Sequence, residues 1–307
     1  MSFSALALAA ALLVQVPGPP QVPPAEEPSQ LEDVVVEGRR LRTVIQDFVG
    51  EVAAPAGVRG PARWNGPVCI GVVNLRGEVA QYIVDRASDV ARELGLTAGE
   101  PGCRPNVLII AVDDGRAAAD SIVEARRAAF RPGGSGMTRS LRALDEFRTS
   151  EAPVRWWHVS APVDSETGAL ATRLPGMDAP RTAVSTASRI RTDIRDDLLK
   201  AIIVVDVRKT AAVSLAQLAD YCTLVALAQV DPKADVATFE TVLNVFADPS
   251  TPGLTPWDLD YLKALYSVEQ NSVGANARGA EIVDQMMRRA AEAAAEEDPA
   301  GPGPRLP

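Results

Sequence analysis

Histidine is almost absent from this chain: His158 is the only one in 307 residues. A catalytic zinc site needs three protein ligands, mostly imidazoles or carboxylates, and an open fourth position. A serine or cysteine hydrolase would have to use His158 as its base, and no GxSxG segment is present to display a serine. The sequence therefore argues against a bound metal and against the common nucleophilic hydrolases.

Basic residues are outnumbered as well. Lys and Arg together number 31 against 40 Asp and Glu, which gives a net charge of −9. Nucleic-acid binding requires a basic face, so we expect no nucleic-acid partner. The glycine-rich stretch PGGSG at 132–136 follows a predicted helix and lacks the lysine of a nucleotide phosphate loop, so we expect no cofactor.

No apolar run in the sequence is long enough to cross a membrane. Residues 3–16, FSALALAAALLVQV, fall short of the roughly 20 residues that a spanning helix needs. Five prolines follow between residues 17 and 24. We interpret residues 1–28 as an export signal with a proline-rich linker, although no Lys or Arg precedes the apolar run. The prediction is a periplasmic or secreted protein with no membrane span.

Cysteine is scarce, with three in the chain. Cys69 lies in the apolar run PVCIGVV, and Cys103 lies just before the run PNVLIIAV. If these runs are neighbouring strands, the two sulfurs could form a disulfide in an oxidising compartment. Cys222 lies on the buried face of a predicted helix and is the natural unpaired one. Three pairings, and three unpaired thiols, remain open.

The apolar pattern predicts an α/β fold. Residues 62–268 form the main domain, preceded by an extension at 29–61 and followed at 269–307 by a helix and a disordered tail. In the extension, Asp33–Val36 is β-prone and 41–52 is amphipathic. The predicted strands are Pro67–Asn74, Asn106–Val112, Val154–Val159 and Ala201–Val207. The predicted helices are Glu78–Leu94, Ala117–Phe130, Thr138–Phe147, Ile190–Leu199, Ser214–Leu227 and Asn276–Glu297.

Two further patterns concern single positions. Val154–Val159, VRWWHV, reads as an exposed or edge strand with Trp156 and His158 on one face and Trp157 on the other. Adjacent acids on a strand or helix point apart, so we interpret the pairs Asp113-Asp114 and Asp196-Asp197 as caps and surface groups.

The stretch from Ser214 to Tyr266 carries the most specific pattern. An apolar helix is followed by a loop with Asp231-Pro232, and then by a helix that reads LTPWDLDYLKALY. In that helix Thr255 is the expected N-cap, Pro256 lies in the first turn, and Asp258 is placed to complete a reciprocal cap. This order resembles the second half of a zincin-type metallopeptidase domain, in particular its matrixin-like (metzincin) branch.

The resemblance implies a zincin-like domain: a mixed, mostly parallel twisted sheet with helices packed on it. The metal-binding motif of the family would fall on Ala219, Asp220 and Thr223, so it implies no metal and no peptidase activity here. We therefore expect a non-enzymatic binding or assembly module for an unidentified protein or peptide. In zincins an edge strand lines the cleft, which would here be flanked by Trp156, His158, Asp220 and Thr223. The alternative is a hydrolase of non-zinc mechanism that uses Asp220, Tyr221 and His158.

Overall fold

The computed structural model describes residues 30–54, 60–132, 137–172, 181–182, 192–270 and 275–297. The predicted export signal at 1–28, most of the glycine-rich stretch and the tail after 297 lie outside these residues. Contacts divide the chain after Arg39, and the fold below is that of the unit that begins at Arg40.

Four strands form one sheet with the order β1-β2-β4-β3. The first two, β1 (Ile70–Val73) and β2 (Val107–Val112), are parallel, and β2 is parallel to β4 (Ile194–Asp206). The long strand β3 (Val154–Asp164) is antiparallel to β4 and lies at the edge of the sheet. The expected α/β fold with a mixed, mostly parallel sheet is confirmed.

Seven α-helices occur in the described part of the chain. Their bounds are α1 Gln30–Val52, α2 Gly77–Glu93, α3 Gly115–Phe130, α4 Leu141–Thr149, α5 Leu215–Leu227, α6 Pro256–Ser267 and α7 Ala275–Glu297. Within these residues, no helix combines the length and the hydropathy that crossing a membrane requires.

Two sequence assignments are wrong. The β-prone patch Asp33–Val36 lies inside α1, because a run of three valines is compatible with a helix whose apolar residues continue at helical spacing. Residues 194–199 of the predicted helix Ile190–Leu199 are instead the first half of β4. There three consecutive polar residues, Arg195, Asp196 and Asp197, break both an apolar run and a period-two alternation, so no strand pattern is visible in the sequence.

The sheet separates two hydrophobic clusters. One face packs against α2, α5, α6 and the second half of α1, and its buried residues include Phe48, Trp156 and Leu224. The other face packs against α3 and α4 and includes Trp157 and Phe147. The opposite orientation of Trp156 and Trp157 is thus confirmed.

Capping residues fix the helices on either side of the loop that follows α5. Ser214 caps α5 in a reciprocal box with Gln217, and Thr255 caps α6 in a second box with Asp258. The predicted cap at Thr255 is confirmed. Gly95 adopts a φ of 79° just after α2, as expected for the residue that ends a helix.

The cysteine prediction is confirmed: Cys69 and Cys103 form a disulfide, and Cys222 is free and buried. Of the acidic pairs, Asp114 caps α3 by accepting a hydrogen bond from the Ala117 amide. The interpretation of Asp196 and Asp197 as surface groups is wrong, since both are buried in β4. Asn65 donates to Asp197 at 2.6 Å, and Arg278 lies 3.5 Å from Asp196. Polar and cationic neighbours therefore stabilise this buried pair.

Candidate binding pocket at the start of the edge strand

His158, the only histidine, lies entirely inside the protein. Its Nε2 atom is 2.7 Å from the carbonyl oxygen of Val225 on α5, and Nδ1 is buried without a partner. Burial lowers the pKa of His158 to about 4. An imidazole that is neutral and enclosed in this way acts as a packing group that ties β3 to α5.

Asp220 performs a structural task as well. One carboxylate oxygen is 2.5 Å from Arg86 Nε on α2, and the other accepts a hydrogen bond from the Leu254 amide. Leu254 follows Gly253, whose φ of 130° belongs to the region that favours glycine. Asp220 therefore connects α5 with α2 and with the turn before α6.

Thr223 and Tyr221 point into the core from other sides of α5. The Thr223 hydroxyl donates to the Ala219 carbonyl one turn earlier and has no exposed surface. The Tyr221 ring packs edge-on against Trp156, with ring centroids 6.0 Å apart, and burial raises the pKa of its phenol. Asp220, Tyr221 and His158 make no hydrogen bond with one another.

These positions do not fit a zinc ion. Ala219 offers no ligand atom, Thr223 uses its hydroxyl within the helix, and the Asp220 carboxylate is held by a guanidinium and an amide. Three converging protein ligands are required for such a site. In the described residues no group of three His, Cys, Asp or Glu side chains is arranged to hold a metal.

A pocket of about 280 Å³ lies elsewhere, at the start of β3. One wall comes from α4 and the residues around it, and the opposite wall comes from the loop at 231–233. Val154 and Trp156 of β3 line it together with Tyr221 of α5. Of the residues predicted for the cleft, Trp156 lines this pocket, and so does Tyr221, a candidate of the alternative hydrolase. Asp220, Thr223 and His158 do not line it.

Two ion pairs of opposite orientation join the walls of the pocket. Arg139 lies 3.6 Å from Asp231, and Glu146 lies 2.6 Å from Lys233. Hydrogen bonding to the Lys233 ammonium lowers the pKa of Glu146, and burial lowers the pKa of Arg139. The pocket therefore combines an aromatic floor with charged walls, which is the composition typical of ligand sites.

The backbone of β3 is unpaired on the side away from β4. Because the Asp206 amide donates to the Pro153 carbonyl, the odd-numbered residues of β3 up to Val159 form the hydrogen-bonded pairs with β4. The amides and carbonyls of Val154, Trp156 and His158 therefore point outward. In the part of the chain that the structure describes, these six groups have no hydrogen-bond partner, but the residues are buried: Val154 is 1% exposed, Trp156 5% and His158 0%. We call Val154–His158 the free edge.

The far half of β3 is covered. The Asp164 amide donates to Ala169, and the Ala171 amide donates to Pro162. The free edge is therefore a short segment, and its beginning coincides with the pocket.

A second cavity of about 520 Å³ is formed by residues within 237–256. Its two charged lining residues, Glu240 and Asp248, are both acidic, and it contacts no residue of the sheet. Of the residues singled out in the sequence it includes only Thr255 and Pro256, which cap and begin α6. The pocket at the free edge is the stronger candidate.

Sequence reasoning missed Arg139, Lys233 and the residues of α4 that complete the pocket. The hydrophobic periodicity places α4 on a sheet face but carries no information about the loop opposite it. Comparison with protein-family models, with curated proteins and with solved structures finds no match for this chain.

Proposed function

We propose that this protein is a non-catalytic binding module that holds an extended peptide along the free edge of β3. The observation that carries the proposal is the coincidence of unpaired strand groups with an aromatic pocket at Val154 and Trp156. Strand addition obtains affinity from main-chain hydrogen bonds and specificity from pockets for alternate side chains. Both components meet at this position.

The proposal includes a zincin-like scaffold that has lost its chemistry. In its support, a strand–helix–strand unit begins the sheet, an antiparallel edge strand follows, and α5 and the capped helix α6 come last. The positions where the family has its ligands carry Ala219, Asp220 and Thr223, and their contacts are structural. The separation of Asp220, Tyr221 and His158 gives the alternative hydrolase no support.

The proposal also places the protein in the periplasm or outside the cell. The Cys69–Cys103 disulfide supports this location, because disulfides persist in oxidising compartments and are rare where glutathione keeps thiols reduced.

The proposal is tested with a synthetic library of N-acetylated hexapeptides with free carboxyl ends, screened by affinity selection and then by fluorescence polarisation of individual binders. Val154→Pro removes one outward amide and no amide that bonds to β4; because Val154 is buried in the core, urea unfolding first checks that the variant folds. We expect at least tenfold weaker binding, and unchanged binding for the matched variant Val154→Thr.

A second measurement does not depend on a folded variant. Backbone N-methylation of a binding peptide, one residue at a time, should weaken binding at alternate positions, because every second amide of an added strand faces β3. Absence of any binder, or binding that is insensitive both to Val154→Pro and to N-methylation, would contradict the proposal.

A further inference from the structure

Arg139 is a cation in an unusual position. Its side chain is 13% exposed and lines the pocket, and its guanidinium carbon lies 5.8 Å from the centre of the Trp157 ring. The ring holds the planar guanidinium in one orientation by a cation–π contact. The charge is therefore fixed in place at the wall of the pocket.

The five N–H groups of this guanidinium make no hydrogen bond in the described residues. The nearest anion is Asp231, at 3.6 Å, beyond hydrogen-bond distance. Asp231 also accepts a hydrogen bond from the Lys233 amide, so its charge is partly satisfied elsewhere. A mostly buried guanidinium normally satisfies its donors, and here they are available to a ligand.

The charge of the whole pocket favours an anion. Three cations, Arg139, Arg155 and Lys233, line it against the two carboxylates Glu146 and Asp231. Arg155 donates to the carbonyls of Ser150 and Ala152 and has no carboxylate within ion-pair distance in the described residues. The cation without a pair is Arg155, which Glu151, Asp206 and Asp114 also face, while the fork of Arg139 matches the geometry of a carboxylate.

The size of the pocket favours the end of a chain over its middle. Its volume of about 280 Å³ is just below the usual range of ligand sites, and the Arg139–Asp231 and Lys233–Glu146 pairs tie its walls together. Beyond the pocket the edge is closed, because His158 has no exposed surface, so a peptide can place only one residue and its terminus beside Val154 and Trp156.

We propose that the pocket captures the free C-terminal carboxylate of the bound peptide through Arg139, with the last side chain of the peptide against Trp156 and Tyr221. This inference rests on the proposed function and names the class of ligand: peptides or protein tails with a free C-terminus.

The test compares the hexapeptide binders with the same peptides carrying a C-terminal amide. We expect the amides to bind at least tenfold more weakly to the wild type. Arg139→Gln should weaken binding of the free acids to the same degree and abolish the difference between acid and amide. Arg139→Lys, which keeps the charge and loses the fork, should give an intermediate value. Arg127→Gln, on the exposed surface of α3, is the matched control and should change nothing.

The outcomes distinguish carboxylate capture from strand addition, the proposed function on which it rests. Equal binding of acids and amides, with Val154→Pro still harmful, would overturn carboxylate capture and leave strand addition in place. Retention by amides that contain Asp or Glu would show that the pocket takes an acidic side chain instead, and would also overturn it. If no peptide of either kind binds, the proposed function itself is wrong.

Discussion

At the scale of single residues, the sequence alone allows either a catalytic or a structural role for His158 and Asp220. Both are residue types that enzymes use, and both lie on elements that a cleft would use. Contacts decided the matter: a carbonyl oxygen accepts from His158, and an arginine and an amide hold Asp220. Those partners are 67, 134 and 34 residues away along the chain, respectively, so no local pattern could have identified them.

His158 makes stability depend on pH in a defined window. Its pKa is lowered to about 4 in the folded protein, against an ordinary value of about 6.5 in the unfolded chain. Between these values the unfolded chain binds the proton and the folded protein does not, so the free energy of unfolding falls as the pH falls. The expected loss is about 3 kcal/mol from pH 7 to pH 4.

Urea unfolding at several pH values measures this loss. His158→Gln should remove the part of the pH dependence of the free energy of unfolding that His158 causes. Nitrogen-15 spectra of the single histidine should show a proton on Nε2 and a neutral ring at pH 5.5. A ring that titrates near pH 6.5 would contradict the burial.

Gly253 is required by its backbone and by its neighbour. Its φ is 130°, and a Cβ at this position would collide with the Asp220 carboxylate. We expect Gly253→Ala to lower the free energy of unfolding by about 1–3 kcal/mol. Gly77→Ala at the start of α2, where nothing lies within 4 Å, should change it by less than about 1 kcal/mol in either direction. Equal effects of the two substitutions would refute the role of this contact.

At the scale of elements, the caps were the most predictable features. The Thr255–Asp258 box and the end of α2 at Gly95 each depend on residues within four positions of one another, so the local sequence predicts them. The edge position of Val154–Val159 was predicted as well. The pocket was not, because it forms between α4 and the 231–233 loop, and their approach depends on how both pack against the sheet.

Asp258 connects α6 with the loop before it. Its buried carboxylate accepts hydrogen bonds from the Thr241 hydroxyl, the Val242 amide and both the amide and the hydroxyl of Thr255. Asp258→Asn turns part of this acceptor into a donor that faces other donors. We expect a loss of about 2–3 kcal/mol in the free energy of unfolding, measured by urea denaturation. Asp248→Asn, at an exposed turn, should cost less than about 1 kcal/mol. Equal losses would contradict the network.

At the scale of the whole molecule, the strands could be predicted from the sequence where they are apolar, and could not be predicted where they are polar. The buried runs of β1, β2 and the second half of β4 were found. The first half of β4 was missed, because its polar residues meet Asn65, Arg278 and the paired strand β3 only after the chain has folded.

The disulfide contributes to the stability of this whole unit. It closes a loop with a sequence separation of 34 residues between β1 and the segment before β2. The loss of loop-closure entropy in the unfolded chain predicts a stabilisation of about 3–4 kcal/mol. Reduction, or the double change Cys69→Ser with Cys103→Ser, should lower the urea midpoint accordingly. Cys222→Ala should keep the same dependence on reductant, and a Cys222→Ala protein that no longer responds to reductant would contradict this pairing.

Amide hydrogen exchange along β3 tests the central claim, that this strand offers its edge to a peptide, most directly. In the free protein, the outward amides of Val154 and Trp156 should exchange faster than those of Arg155 and Trp157, which bond to β4. A saturating free-acid hexapeptide from the library should slow the exchange of Val154 and Trp156 at least tenfold and leave the other two unchanged. Uniform exchange along the strand, or no protection when the peptide is bound, would contradict the account.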